Sequence, residues 1–181
     1  MTRTVDTELV KPAAFAHFVL RCSDKEASVA WYSAVLGMET VHANEMLTFM
    51  TYDDEHHRLA LVQAPPDKEK VDGAPGLDHV AYTLHSLEDL LATYKRLKAQ
   101  DILPVWPINH GLTTSLYYAD PDGNRVEFQV ENLTSKEALQ GYMRSDAFAE
   151  NPIGVGFDPD KLLARYENGD PVEELLQQGS A

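Results

Sequence analysis

The sequence predicts an α+β protein built from two βαβββ modules followed by a helical arm, and three observations carry that expectation. Residues 75–131 read as one supersecondary unit in the order β-α-β-β-β. Residues 15–63 can be laid over that unit as a weak two-fold repeat. After Glu131 the strand-like alternation gives way to short helical fragments separated by turns.

Residues 1–12 are a polar lead-in that ends at Pro12. Phe15–Arg21 alternates as a strand and carries His17. Ser23 or Asp24 is placed to cap a helix whose apolar positions are Val29, Trp31, Tyr32, Val35 and Leu36, and Gly37 stops it. Met38–Ala43, Met46–Tyr52 and Arg58–Gln63 supply three further strands, with Asp53–His56 as the last turn. Residues 64–76 have the prolines, glycines and charges of a linker. The pattern then restarts. Leu77–Leu84 is a strand carrying His79, and Ser86 caps a helix marked by Leu87, Leu90, Leu91, Tyr94 and Leu97. Ile102–Ile108, Ser115–Ala119 and Arg125–Val130 follow as strands, the last two joined by the turn Asp120-Pro-Asp-Gly-Asn. Neither module can bury its sheet alone, so module 1 (about 13–63) and module 2 (77–131) are expected to pair into one domain, 13–131. The extension 132–181 contains helices over Lys136–Arg144, Asp160–Asn168 and Val172–Gln178, with Asp158 capping and Pro159 at the first helical position. Its apolar residues suit an arm that wraps the sheet or a partner subunit.

Composition narrows the function. At 181 residues the chain suits one domain with a sizeable core, and a net charge of −14 opposes binding to nucleic acid or to anionic membranes. Cys22 is the single cysteine, which excludes an internal disulfide and suits a reducing cytoplasm. No apolar run approaches a membrane span and the N-terminus lacks a signal-peptide core, so a cytoplasmic protein is expected.

The chemistry lies in His17, His79 and Glu127. A lone strand histidine is usually a satisfied half-buried residue, but here both histidines hold the same place in their repeats. Two imidazoles and one carboxylate on one face of a metal leave the opposite face open to a substrate and O2. In the overlay Glu127 falls opposite Ala60, whose methyl cannot ligate, so three protein ligands rather than four are expected. Alternation alone does not assign Glu127 to a face of its sheet.

These residues resemble the vicinal oxygen chelate (glyoxalase/bleomycin resistance/dioxygenase) superfamily, and within it the small one-domain type I extradiol dioxygenases. The likeness rests on His17-Phe-Val-Leu-Arg, Leu77-Asp-His-Val-Ala-Tyr, Ser86-Leu-Glu-Asp-Leu-Leu and above all Tyr117-Tyr-Ala-Asp-Pro-Asp-Gly-Asn-Arg-Val-Glu127. It implies a cupped mixed sheet formed by the paired modules around a metal site. It also implies Fe(II), or Mn(II), held by His17, His79 and Glu127, with O2 as co-substrate. Tyr117 would hydrogen-bond an oxygen of the diol, with Tyr118 as its rival facing the other way. His57 resembles the family's histidine beside the O2 position, with His56 as the alternative, and His110 the one near the substrate hydroxyls. The implied reaction is meta cleavage of a catechol-type aromatic diol to a hydroxymuconic semialdehyde type product. Phe49, Trp106 and Leu112 are candidates for the ring pocket, with Phe148 or Phe157 if the arm covers it, and a homo-oligomer is expected. Four-ligand isomerases, epimerases and thiol transferases of the superfamily usually carry a ligand carboxylate in both modules, which Ala60 opposes. A metal-free sequestering module tends to lack the triad altogether.

Overall fold

A computed structural model describes residues 7–65, 70–71 and 73–181. The chain divides into two compact units, Met1–Lys68 and Glu69–Ala181, and the βαβββ order is present in both. The start of the lead-in and most of residues 66–72 of the expected linker lie outside the described residues. No helix among the described residues is long and apolar enough to cross a membrane.

In the first unit β1 (Phe18–Cys22), β2 (Glu39–Ala43), β3 (Leu47–Thr51) and β4 (Leu59–Gln63) form a mixed sheet in the order β1-β4-β3-β2. β1 runs parallel to β4 and the other pairs are antiparallel. Helix α1 (Lys25–Leu36) supplies the crossover. Asp24 caps it by accepting from the Ala27 N–H, and Gly37 ends it at φ 65°, a left-handed conformation that costs glycine nothing. Strand β1 begins at Phe18 rather than at the expected Phe15. The reason is Arg58, whose guanidinium takes the Phe15 and Ala16 carbonyls at 2.7 and 3.0 Å and so replaces ladder bonds with side-chain ones. His17 therefore sits one residue before the strand.

In the second unit β5 (His79–Thr83), β6 (Trp106–Asn109), β7 (Thr113–Ala119) and β8 (Arg125–Glu131) repeat the plan around helix α2 (Leu87–Lys98). Ser86 caps α2, Glu88 and Asp89 lie in its first turn, and Lys95, Arg96 and Lys98 lie in its last, all matching the helix dipole. Its buried face is the leucine and tyrosine stripe read from the sequence. The expected strand over Ile102–Ile108 is corrected to Trp106–Asn109. Pro104 has no N–H to give to a ladder, and pairing starts only at Trp106 opposite Tyr117.

The arm wraps its own sheet. After α3 (Lys136–Met143) and α4 (Asp146–Glu150), the short strand β9 (Val155–Gly156) pairs with β6 and extends the order to β5-β8-β7-β6-β9. Helix α5 (Pro159–Glu167) starts at the Asp158 cap with Pro159 at its first position, as expected, and α6 (Val172–Leu175) follows. Leu162 and Leu175 are buried, and Asp160 of α5 accepts from Tyr94 (2.8 Å) and Lys98 (2.5 Å) of α2. Those donors hold the Asp160 carboxyl below its ordinary value of 3.8. Its contribution to stability is then complete above that value and is lost as pH falls through the lowered one. In chemical denaturation the gap between the wild type and Asp160→Asn is expected to close in that acid window.

One core residue is a liability. Tyr118 is fully buried on the helix side of the sheet, its ring edge-on to Phe128, and its hydroxyl finds no hydrogen-bond partner among the described residues. Burial pushes its ionisation far above the ordinary tyrosine range, so the hydroxyl stays protonated and unsatisfied. Tyr118→Phe is expected to raise the unfolding free energy by about 1 kcal/mol, the usual penalty for such a group, measured by urea denaturation.

Candidate functional site

Strand register decides which side chains share a face. Residues directly paired across a sheet point to the same side. Trp106 pairs with Tyr117, Tyr117 with Glu127 and Glu127 with Ala81, so these residues form one row across the second unit's sheet. His79 stands two residues before Ala81 and joins that face. Tyr118 and Val126 belong to the opposite, helix-covered side. Glu127 and Tyr117 thus face away from the helix, which alternation alone left open.

The row is a polar site in an apolar frame. Glu127 is only 4% exposed, a position where a bare carboxylate is costly without partners. Its Oε2 lies 3.2 Å from His79 Nε2, and its Oε1 lies 4.0 Å from His110 Nε2. His79 Nδ1 meets Asp78 Oδ1 at 2.8 Å, and Arg125 grips the other Asp78 oxygen at 3.0 Å. A carboxylate only accepts, so Asp78 takes a ring hydrogen on Nδ1, and the Nε2–Glu127 contact closes through a second ring proton or through a cation in its place. With Nε2 deprotonated, the pair presents one nitrogen and one carboxylate to a hard metal ion. Asp78 in turn is kept below its ordinary acidity range, first by the His79 hydrogen bond and then by Arg125.

Tyr117 and His110 complete the group. His110 Nε2 lies 3.2 Å from the Tyr117 hydroxyl. Trp106 packs against both rings, at 4.9 Å from Tyr117 and 5.8 Å from His110. Burial first, then the charge of Glu127, drives the Tyr117 hydroxyl well above its ordinary range, so it serves as a donor. The site's last strand is entered through the Asp120-Pro-Asp-Gly-Asn turn, in which Asp120 Oδ1 accepts from the Asp122 and Asn124 N–H groups. Gly123 takes a φ of 74° there. The motif's physical task is to set the start of β8 two residues before Glu127.

The first unit repeats the row with different residues. His42 pairs with Phe49, Phe49 with Ala60 and Ala60 with Val19. His17 precedes Val19 by two, as His79 precedes Ala81. Ala60 therefore occupies the register place of Glu127, and Phe49 that of Tyr117. Around His17 a histidine cluster gathers: the His57 ring lies 4.2 Å away, while the His56 ring is at 6.4 Å. His57 also stacks on Phe49 at 4.5 Å. Partial burial, then the neighbouring His17 and His56, lower the affinity of His57 for a proton. Of the two adjacent histidines, His57 is the one against His17.

The structure thus gathers His79, His110, Tyr117 and Glu127 in one unit and His17 with His57 in the other. Among the described residues no three ligating side chains close into a cage for a cation. Sequence reasoning missed Asp78 and Arg125, although the adjacency of Asp78 to His79 was a usable signal. Among the pocket candidates, Phe49 and Trp106 lie against site rings, Leu112 is half-buried in the turn after His110, and Phe148 packs against Tyr142.

Residues 14–128 match the model of the Glyoxalase/Bleomycin resistance protein/Dioxygenase superfamily, and the chain belongs to that superfamily. Among its relatives is biphenyl-2,3-diol 1,2-dioxygenase 2 of Rhodococcus globerulus, 45% identical over 162 residues, covering 89% of this chain and 85% of that protein. Biphenyl-2,3-diol 1,2-dioxygenase 3 of the same organism is 41% identical, covering 92% of this chain and 88% of that protein. Solved structures with the same fold include a lactoylglutathione lyase from Agrobacterium tumefaciens, with a TM-score of 0.54 at 23% identity, covering 66% of this chain and 94% of that one. A glyoxalase/dioxygenase from Nostoc punctiforme has a TM-score of 0.57 at 16% identity, covering 70% and 99%.

Proposed function

We propose that this chain is an extradiol ring-cleavage dioxygenase that inserts O2 into a small catechol-type diol, giving a hydroxymuconic semialdehyde type product. The observation that carries the reading is the asymmetry of the two rows: buried Glu127 faces His79 in one module, and Ala60 holds the equivalent place in the other. One carboxylate instead of two leaves a three-ligand set with open positions, the requirement for binding a diol and O2 together. The two relatives named for biphenyl-2,3-diol support the same substrate class.

His17, His79 and Glu127 would hold Fe(II), or Mn(II). The metal's contribution, once bound, is to acidify the diol and bring it and O2 into one complex. The protein's own groups do the rest. Asp78 holds the Nδ1 side of the His79 ring, so that Nε2 would be the nitrogen turned to the metal. Tyr117, kept protonated, would turn its one hydrogen from His110 to a substrate oxygen. His110 Nε2, beside that hydroxyl, takes or returns a proton as the diol ionises and the ring opens. Trp106, packed on Tyr117, would wall the substrate ring, and His57, favoured in its neutral form beside His17, would act on bound O2.

The test is anaerobic loading with Fe(II), then air, with catechol and with 2,3-dihydroxybiphenyl. Yellow product that requires both iron and O2 is the expected result. One equivalent of metal bound with no diol consumed, and turnover of a glutathione hemithioacetal instead, sinks the oxygenase reading in favour of an isomerase.

A further inference from the structure

His110 stands in the hairpin turn after β6, where Trp106 and Tyr117 meet its ring but its own strand does not anchor the Nδ1 side. The arm answers this. Its residues converge on the corner Asn109–Gly111 from several sides. The Ile153 carbonyl meets His110 Nδ1 at 2.5 Å. Strand β9 pairs Val155 with Asn109. Asn109 Nδ2 donates to the Leu176 carbonyl at 2.8 Å, and Gln178 Nε2 donates to the Asn109 carbonyl at 3.0 Å. Asn109 itself is 3% exposed, so these bonds are sheltered from water.

Gly154 is what permits the approach. It takes a φ of 112°, and a Cβ there would lie 2.3 Å from the Asn109 carbonyl oxygen and 2.7 Å from His110 Cα. No side chain fits without pushing the arm off the corner. The contact has a chemical consequence. A backbone carbonyl only accepts, so the Ile153 carbonyl places the His110 ring hydrogen on Nδ1. The neutral ring then offers the Nε2 lone pair to the Tyr117 hydroxyl.

We propose that the C-terminal arm is a positioning element of the active site: the Ile153 carbonyl sets the tautomer and direction of His110, and Gly154 is the residue that lets it do so. The assignment of His110 to proton transfer rests on the proposed dioxygenase reading, whereas the tautomer does not.

The experiment is two-bond 1H–15N imidazole NMR on the full metal-free chain at about pH 8, above the ordinary imidazole range. His110 is assigned by the signal lost in His110→Gln. The wild type is expected to carry the hydrogen on Nδ1. Gly154→Ala is expected to mix the tautomers, and so is Gln178→Ala, which loosens the same corner without a clash and serves if Gly154→Ala does not fold. Lys95→Ala, which removes only the exposed pair with Glu167 on α5, is expected to leave His110 unchanged. In the Fe(II)-loaded protein the two corner variants are expected to lose about tenfold in kcat on 2,3-dihydroxybiphenyl, a positioning effect. A wild-type hydrogen on Nε2, an unchanged tautomer in the corner variants, or equal mixing in Lys95→Ala overturns the proposal. A wild type with the Nδ1 hydrogen but no ring cleavage strikes the dioxygenase reading and leaves the arm's effect on His110 standing.

Discussion

Glu127→Ala is expected to abolish tight Fe(II) binding and to lower kcat/KM for 2,3-dihydroxybiphenyl on the order of 10³-fold or more, because a lost metal removes several kcal/mol of charge stabilisation. The effect is separable from unfolding. Glu127 is nearly inaccessible to water, and its contacts with His79 and Tyr117 offset only part of the desolvation cost of a buried carboxylate in the metal-free protein. Glu127→Gln keeps the shape and discards the charge, so its metal-free denaturation midpoint is expected to match or exceed that of the wild type while metal binding is lost. Iron content by a chelator assay and urea denaturation check the two halves. Retention of wild-type iron content in either variant would remove Glu127 from the ligand set.

Tyr117→Phe is expected to behave differently. Its hydroxyl contacts His110 and Glu127 but belongs to no ligand triad, so metal affinity is expected to persist. Removing one aimed, sheltered donor to a developing negative oxygen lowers kcat on the order of 10²-fold. The ring stays, held by Trp106, so KM is expected to move little. The adjacent Tyr118→Phe makes an internal control, with greater stability and unchanged turnover, since Tyr118 lies on the opposite side of the sheet. Equal activity losses in the two variants would show that the face assignment does not govern the chemistry.

Much of this was legible beforehand. Helix starts at Asp24, Ser86 and Asp158, the stop at Gly37 and the Asp120 turn are local devices, and each depends on residues within a few positions of one another. The equivalence of His17 with His79, and of Ala60 with Glu127, was visible because a repeat preserves spacing along the chain. Parallel pairing of β1 with β4 and of β5 with β8 converts that spacing into register.

What could not be read were contacts between distant segments. Arg58 taking the carbonyls of residues 15 and 16 shortened the first strand, and no local pattern announces a guanidinium reaching back more than forty positions. Strand β9 is two residues long and exists only because β6 offers an edge to receive it. The choice of His57 over His56 beside His17 depends on how one turn folds over Phe49.

The sequence by itself determined the order of elements through β8, the two-module plan and most of the candidate residues, because periodicity, capping and repeat spacing are properties of a short stretch of chain. Only the tertiary structure decided that Glu127 and Tyr117 share the face of His79, that Asp78 orients that histidine, and that the arm returns to hold His110. Those outcomes depend on strand register and on hydrogen bonds between segments far apart in sequence, whose partners no single window of the chain contains.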